Sequence, residues 1–246
     1  MKRVVTSLIL IPLITWVVLF APENIFIGTV CLFASLCWME FAGIARHYGA
    51  PFGALAGWLP GLAFLLASRH ELLLLMALVL AALAFSLRSA DLRHAIPSAS
   101  IFVLGILYTF GAWRSAIALH AASVYWLLFA LTINWVGDTA AFYVGRAIGK
   151  RKLAPSISPG KSWEGAIASA VAAGLYGVFF LRWALPDFDL SYAALMAIAG
   201  NAAGQVGDLA ESALKRGAGV KDSGTTLPGH GGWLDRLDSS LFSMPV

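Results

Sequence analysis

An all-α, polytopic integral membrane protein with about eight or nine transmembrane helices and a cytoplasmic N-terminus is what the sequence predicts. Three observations lead there. Of 246 residues, 59% are hydrophobic and only 12% charged, with a mean hydropathy of +0.79. A soluble domain carries about a quarter charged residues, so this chain lacks the polar surface to coat a water-soluble globule. The same numbers exclude a disordered chain, a collagen-like fibre and a disulfide scaffold. Apolar stretches also recur near the roughly 20 residues that a spanning helix needs. Finally, the basic residues segregate by membrane side, as the element order shows.

The predicted spans are 4–20, 25–45, 52–67, 72–87, 97–119, 121–144, 166–185 and 190–212, followed by a short apolar tail at 237–246. Met1-Lys2-Arg3 before Val4 resembles a signal peptide, but no small-x-small cleavage site follows, so the first span reads as a retained helix. Pro22-Glu23-Asn24, Tyr48 to Pro51, Ser68 to Glu71, Arg88 to Arg93 and Pro186 to Asp189 are breaks with loop chemistry. Pro60-Gly61 interrupts the short span 52–67 and predicts a kink or tilt. Cys31 and Cys37, six apart in one apolar stretch, fall on different helix faces and read as small apolar residues.

With the N-terminus inside, the inner segments hold Lys2, Arg3, Arg46, Arg88, Arg93, Arg146, Lys150, Arg151, Lys152, Lys161, Lys215, Arg216, Lys221 and Arg236, which is 14 of the 17 basic residues. The outer loops hold only Arg69, while Arg114 and Arg182 lie within spans. By the positive-inside rule the two long inner loops, 145–165 and 213–236, face the cytoplasm. This distribution by side also explains the net charge of +4 without a nucleic-acid partner, and none is expected. Residues 1–119 read as an N-terminal transmembrane scaffold, and 120–246 as the catalytic region, because the polar chemistry gathers there. Glu40, near the inner end of the second span, could contribute to the site or pair with Arg46, and the pairing is the preferred reading.

Four features carry chemistry. Asn201, Gln205, Asp208, Glu211, Ser212 and Lys215 share one face of span 190–212. An ionised carboxylate at membrane depth costs at least ~2.5 kcal/mol on insertion scales, so it needs a partner or a cation. The bland reading of this stripe is an interhelical hydrogen-bond seam; two carboxylates with an amide favour a cation or polar-substrate site. Asn134 and Asp138 form a similar face at the inner end of span 121–144, ahead of the basic cluster Lys150-Arg151-Lys152. That cluster is explained by topology and anionic lipid headgroups; Asp138 is not. Ser158-Pro159-Gly160-Lys161-Ser162-Trp163-Glu164-Gly165 lacks the earlier glycine and the strand of a P-loop, with Pro155 in the glycine's place and no strand pattern. Lys161 and Ser162 could hold a phosphate at a helix N-terminus, or Ser162 could be an ordinary N-cap; the segment alone supports both.

The fourth feature runs from Lys215 to Asp238, with seven charges and six glycines. Glycine-rich backbone can turn its N–H groups towards an anion. Lys215, Arg216, Lys221 and Arg236 would neutralise a polyphosphate or lipid phosphate. Asp235 and Asp238, spaced i, i+3, suit hard oxygen ligation of Mg²⁺. Phosphoryl and nucleotidyl transfer require positioning, cations and metal of this kind.

At these residues the sequence resembles the phosphatidate cytidylyltransferase (CDP-diacylglycerol synthase) family. Its C-terminal pattern is matched by Ser212-Ala213-Leu214-Lys215-Arg216, Lys221-Asp222-Ser223-Gly224, Leu227-Pro228-Gly229-His230-Gly231-Gly232 and Asp235-Arg236-Leu237-Asp238, with Trp233 where an aliphatic residue or Phe is usual. Asp138 to Phe142, Gly145-Arg146, Lys152 to Pro155 and Ser158 to Gly165 are also similar, so the likeness covers about 130–246. The N-terminal half matches in hydropathy and length only. Family members usually continue beyond the half-length last span seen here, which leaves open a whole or a shortened protein.

The resemblance implies transfer from CTP to phosphatidate, giving CDP-diacylglycerol and pyrophosphate, at the inner face of a bacterial membrane. It implies Mg²⁺ dependence and a two-metal centre in which K⁺ is a candidate second ion. Carried over, Asp208, Asp235 and Asp238 become metal ligands, and Asp208, Asp235, Lys221, Asp222 and Arg236 the catalytic set. Asp138, Lys161, Ser162, Ser212, Lys215, Arg216, Gly229, His230, Gly231 and Gly232 become substrate-binding residues. CTP, phosphatidate and membrane lipids are the implied partners, with a homodimer left open. The alternatives are a CTP-dependent enzyme acting on another lipid, such as archaeol phosphate or a polyprenol-type acceptor, and an ion-coupled transporter. The transporter is disfavoured because the acids cluster at the inner end beside a basic, glycine-rich loop.

Overall fold

The computed structural model describes residues 2–50, 52–87, 91–227, 229 and 231–246, with side chains from Leu8 onward and without that of Ala54. It is an all-α assembly with one small hairpin: α1 (Lys2–Phe20), α2 (Glu23–Arg46), α3 (Ala54–Leu66), α4 (Glu71–Ser86), α5 (Ala95–Ile106), α6 (Ala112–Ala122), α7 (Val124–Ile148), β1 (Lys152–Ala154), β2 (Ser158–Ser162), α8 (Trp163–Ala184), α9 (Leu190–Gly217) and α10 (Leu234–Ser243). A single π-helical turn, Leu107–Gly111, joins α5 to α6, and a short 3₁₀ turn at Leu92–His94 leads into α5.

Four segments among the described residues are long and apolar enough to cross a membrane: Glu23–Arg46, Leu92–Ala122, Val124–Ile148 and Trp163–Ala184. The predicted spans 52–67 and 72–87 are helices of 13 and 16 residues. At 1.5 Å per residue they cover only about 20 and 24 Å, short of a hydrocarbon core of about 30 Å. The 28-residue α9 is long enough but carries a polar stripe that lowers its hydropathy. Pro60 lies inside α3, which runs on through it.

The loop 145–165, expected to be strandless, carries the antiparallel pair β1–β2, whose register shifts between Lys152, opposite Ser162, and Ala154, opposite Ser158. Pro155 to Ile157 make the turn, and the run is too short and too polar to show a strand period. Helix α7 also reaches Ile148 and α9 reaches Gly217, so both inner loops are shorter than read.

In the N-terminal part, Trp38 is fully buried at the centre of an aromatic cluster, with its ring centroid 5.7 Å from those of both Phe52 and Phe102. Cys37 is buried beside it, and both cysteines are free. In the C-terminal part α7 packs on α8, α8 on α9 and α9 on α10. Close approach there depends on small residues: a side chain at Gly137 would overlap Asn201, and one at Gly204 would overlap Asn134. Such contacts let helices pack tightly around polar groups where lipid supplies no hydrophobic drive. Exposed Trp163, Ile167, Val171, Leu175, Phe179 and Trp183 run along one face of α8, the pattern of a lipid-facing surface.

Candidate functional site

The polar stripe of α9 divides into two parts. Its upper part is a seam. The Asn201 carbonyl oxygen accepts from the Ser169 hydroxyl (3.0 Å) and the Gln205 amide (2.8 Å), and Gln205 also donates to the Ala166 carbonyl (3.2 Å). Asn134 belongs to a second seam, donating to Ser243 Oγ at 2.8 Å, which ties α10 to α7. For these amides the bland reading is the structural one: buried polar groups satisfied between helices.

The lower part of the stripe is different. Asp208 pairs with Lys161 Nζ at 2.5 Å, so the end of the hairpin is held against α9 by an ion pair. Ser212 donates to the same carboxylate at 3.4 Å. One turn further on, Lys215 Nζ lies between two acids. It pairs with Glu211, whose side chain is fully buried, and with Asp235 Oδ1 at 2.5 Å. Lys215 therefore joins the end of α9 to the start of α10.

Asp235 is the most heavily bonded acid of the motif. Its Oδ2 accepts from the Gly232 amide at 2.7 Å and from the Ser223 amide at 3.0 Å. Burial alone would raise its pKa, but the Lys215 ammonium and these amides hold the carboxyl below its ordinary value. Gly231 (φ +82°) adopts a left-handed backbone, and a Cβ there would lie 2.5 Å from Asp235 Oδ2. Glycine is thus required at this turn twice over, for conformation and for space. Leu227 and Gly231 close the loop as an antiparallel bridge.

Asp138 on α7 is exposed, within electrostatic reach of Asp208 and Lys161. Asp238 on α10 lies within reach of Asp208, Lys215 and Asp138. Three acids from three helices therefore share one region. Arg216, Lys221, Asp222, Gly229 and Arg236 are exposed, and Gly232 is buried. Ser162 caps α8, accepting the Gly165 amide at 3.2 Å. His230 lies outside the described residues.

Among the described residues no three His, Cys, Asp or Glu side chains form a ready-made metal cage. The donor chemistry nevertheless suits a divalent ion. Mg²⁺ usually takes one or two carboxylates and completes its shell with substrate phosphates and water. Clustered Asp138, Asp208 and Asp238 repel one another, and a cation relieves that repulsion.

For Glu40 the sequence reading weighed a contribution to the site and preferred a pairing with Arg46. Glu40 is buried in α2 and is bonded to Ser223, Thr226, Trp233 and Leu234, while Arg46 is exposed. The predicted pairing with Arg46 gives way to an acceptor role in the loop. The signal was available, since an acid in an apolar span needs partners.

The sequence pattern of the Cytidylyltransferase family matches the chain over residues 1–246. The chain is 32% identical to a phosphatidate cytidylyltransferase of Pseudomonas aeruginosa over 266 aligned positions, covering 100% of this chain and 94% of the relative. It is 42% identical to one of Haemophilus influenzae (48% of this chain, 43% of the relative) and 46% identical to one of Bacillus subtilis (49% and 45%). In these last two matches the chain spans less than half of the relative's length.

Proposed function

Because the chain belongs to the cytidylyltransferase family, we propose that it transfers the cytidylyl group of CTP to phosphatidate, giving CDP-diacylglycerol and pyrophosphate for phospholipid synthesis. One observation carries this reading. Two ion pairs, Lys161–Asp208 and Lys215–Asp235, bring the hairpin, the end of α9 and the start of α10 together, so that the charged residues of two distant motifs form one polar region.

In this reaction a phosphate oxygen of phosphatidate attacks the α-phosphorus of CTP, and the bond from that phosphorus to the β-phosphate oxygen breaks. Pyrophosphate leaves with the electron pair. The attacking phosphate monoester is already largely ionised near neutral pH, so no residue is assigned as general base. Exposed Arg216, Lys221 and Arg236 grip phosphate oxygens, Arg bidentately. Lys215 sets the angle between α9 and α10, and Lys161 with Asp138 borders the nucleotide. Asp222, Gly229, Gly231 and Gly232 shape the phosphate-facing loop, and His230 is proposed as a further substrate-binding residue. Asp208, Asp235 and Asp238 are the proposed Mg²⁺ donors; Asp235 retains lone pairs beyond those engaged by Lys215 and the amides. Bound Mg²⁺ supplies charge neutralisation of the triphosphate and the leaving pyrophosphate, and K⁺ is the proposed second ion.

The bundle is proposed to cross the membrane about eight or nine times. In that arrangement α1, α3, α4 and α9 lie beside the four long apolar segments, and the N-terminus and site face the cytoplasm. The support is the 14-to-1 bias of basic residues between inner and outer segments. The test is CTP turnover by the purified protein in detergent with phosphatidate, with Mg²⁺ or EDTA, beside Asp235→Asn. Mg²⁺-dependent CDP-diacylglycerol, reduced on the order of 100-fold in the variant, is the expected result. A folded wild-type protein that forms no lipid nucleotide overturns the reading, and full activity in Asp235→Asn removes Asp235 from the site.

A further inference from the structure

Glu40 is the only acid of α2 beyond its first residue, and its neighbours Trp38, Phe41 and Ala42 are buried apolar side chains. Its carboxylate is nevertheless fully employed. Oε1 accepts from the Thr226 hydroxyl (2.7 Å) and the Trp233 amide (3.0 Å); Oε2 accepts from the Ser223 hydroxyl (2.8 Å) and the Leu234 amide (2.9 Å). Two donors per oxygen is a complete set for a buried carboxylate.

The identity of the donors shows what this arrangement does. The Trp233 and Leu234 amides belong to the first turn of α10, whose N–H groups have no intrahelical acceptors, and Trp233 supplies no side-chain cap. Glu40 therefore caps α10 from another helix and places negative charge at its positive end. The loop also wraps the carboxylate closely: a Cβ at Gly224 would lie 2.7 Å from Oε1, and one at Gly232 would overlap Oε2. Ser223 couples this centre to the site. Its hydroxyl donates to Glu40 and its amide to Asp235, whose own amide returns to Ser223 Oγ at 3.3 Å.

We infer that Glu40 is a positioning residue: its buried carboxylate, delivered from the N-terminal half, is the centre that gathers Ser223, Thr226, Trp233 and Leu234, and it aims Asp235, Arg236 and Asp238. The link from aim to rate rests on the reaction proposed above; the link from Glu40 to loop order does not. A displacement of about 1 Å at a reacting centre can cost on the order of 100-fold in rate.

Glu40→Gln keeps the volume but turns an NH₂ group towards groups that are themselves donors. In the full-length protein, hydrogen–deuterium exchange across 223–238 is expected to quicken about tenfold or more, with α7 and α8 unchanged. Turnover should fall on the order of 100-fold, and the Mg²⁺ concentration for half-maximal rate should rise. Wild-type exchange across 223–238 in a folded variant overturns the inference. So does protection lost equally over α2, α7 and α8, the signature of a merely structural residue. If Glu40→Gln does not fold, Ser223→Ala combined with Thr226→Val removes the two hydroxyl donors and leaves the two amides. The same local quickening is expected, and unchanged exchange overturns the inference. If wild-type protein forms no CDP-diacylglycerol, the reaction fails as a reading while the exchange comparison still decides the positioning.

Discussion

Lys215 illustrates how a single cation can join two helices. It is 9% exposed, and it is the ion-pair partner of Glu211, which is fully buried, and of Asp235. Removing one member of a buried ionic group leaves uncompensated charge, at a cost of about 3–5 kcal/mol. Lys215→Met should therefore lower the melting temperature in detergent by that order of stability, besides abolishing turnover; a variant that melts with the wild type contradicts the pairing. Lys215 stood out in the sequence as a charge in a run of charges and glycines, though its pairing with Glu211 and Asp235 was not read there. The partners of Glu40 were not legible, because a pairing with a residue about 190 positions away leaves no local spacing to read, and Arg46 offered a nearer partner. The rule that a membrane-depth acid needs a partner was applied to Asp208 and gave the right kind of answer; it held equally for Glu40.

At the scale of elements, the hairpin and the helix it feeds act as one piece. Ser162 ends β2 and caps α8, while its neighbour Lys161 reaches Asp208 on α9. Ser162→Ala should cost about 1 kcal/mol through the lost cap, read as a lower melting temperature and faster amide exchange confined to the first turn of α8. Loss of protection throughout α8 would contradict a local cap. The positions of the long helices α7, α8 and α9 followed from hydropathy, within a few residues at most ends. The strands did not, since three- and five-residue strands held by one turn and a helix start carry no period of their own. The stripe on α9 was found as a face, but its division into seam and site was set by what lies opposite: Ser169 and Ala166 above, Lys161 and Asp235 below.

At the scale of the whole molecule, topology gives a third expectation. In a chain with Cys31 and Cys37 replaced by alanine, single cysteines at exposed Ser156 and Thr225 should label from the cytoplasmic side, and one at exposed Asp187 from the other. Labelling of Ser156→Cys and Thr225→Cys from opposite faces would overturn a single cytoplasmic site. The division at residue 119 was drawn where hydropathy gives way to polar chemistry, yet packing and hydrogen bonds cross it, two of them at the candidate site. Glu40 enters the 223–234 loop, and Tyr48 donates to the Leu214 carbonyl at 2.8 Å, close against Gly217. These crossings bear on modularity. Exchanging the first 119 residues for a hydropathy-matched stretch would preserve the hydropathy of the bundle and still strip α10 of its cap. A chimera that keeps α10 capped must import an acid at the same helical position.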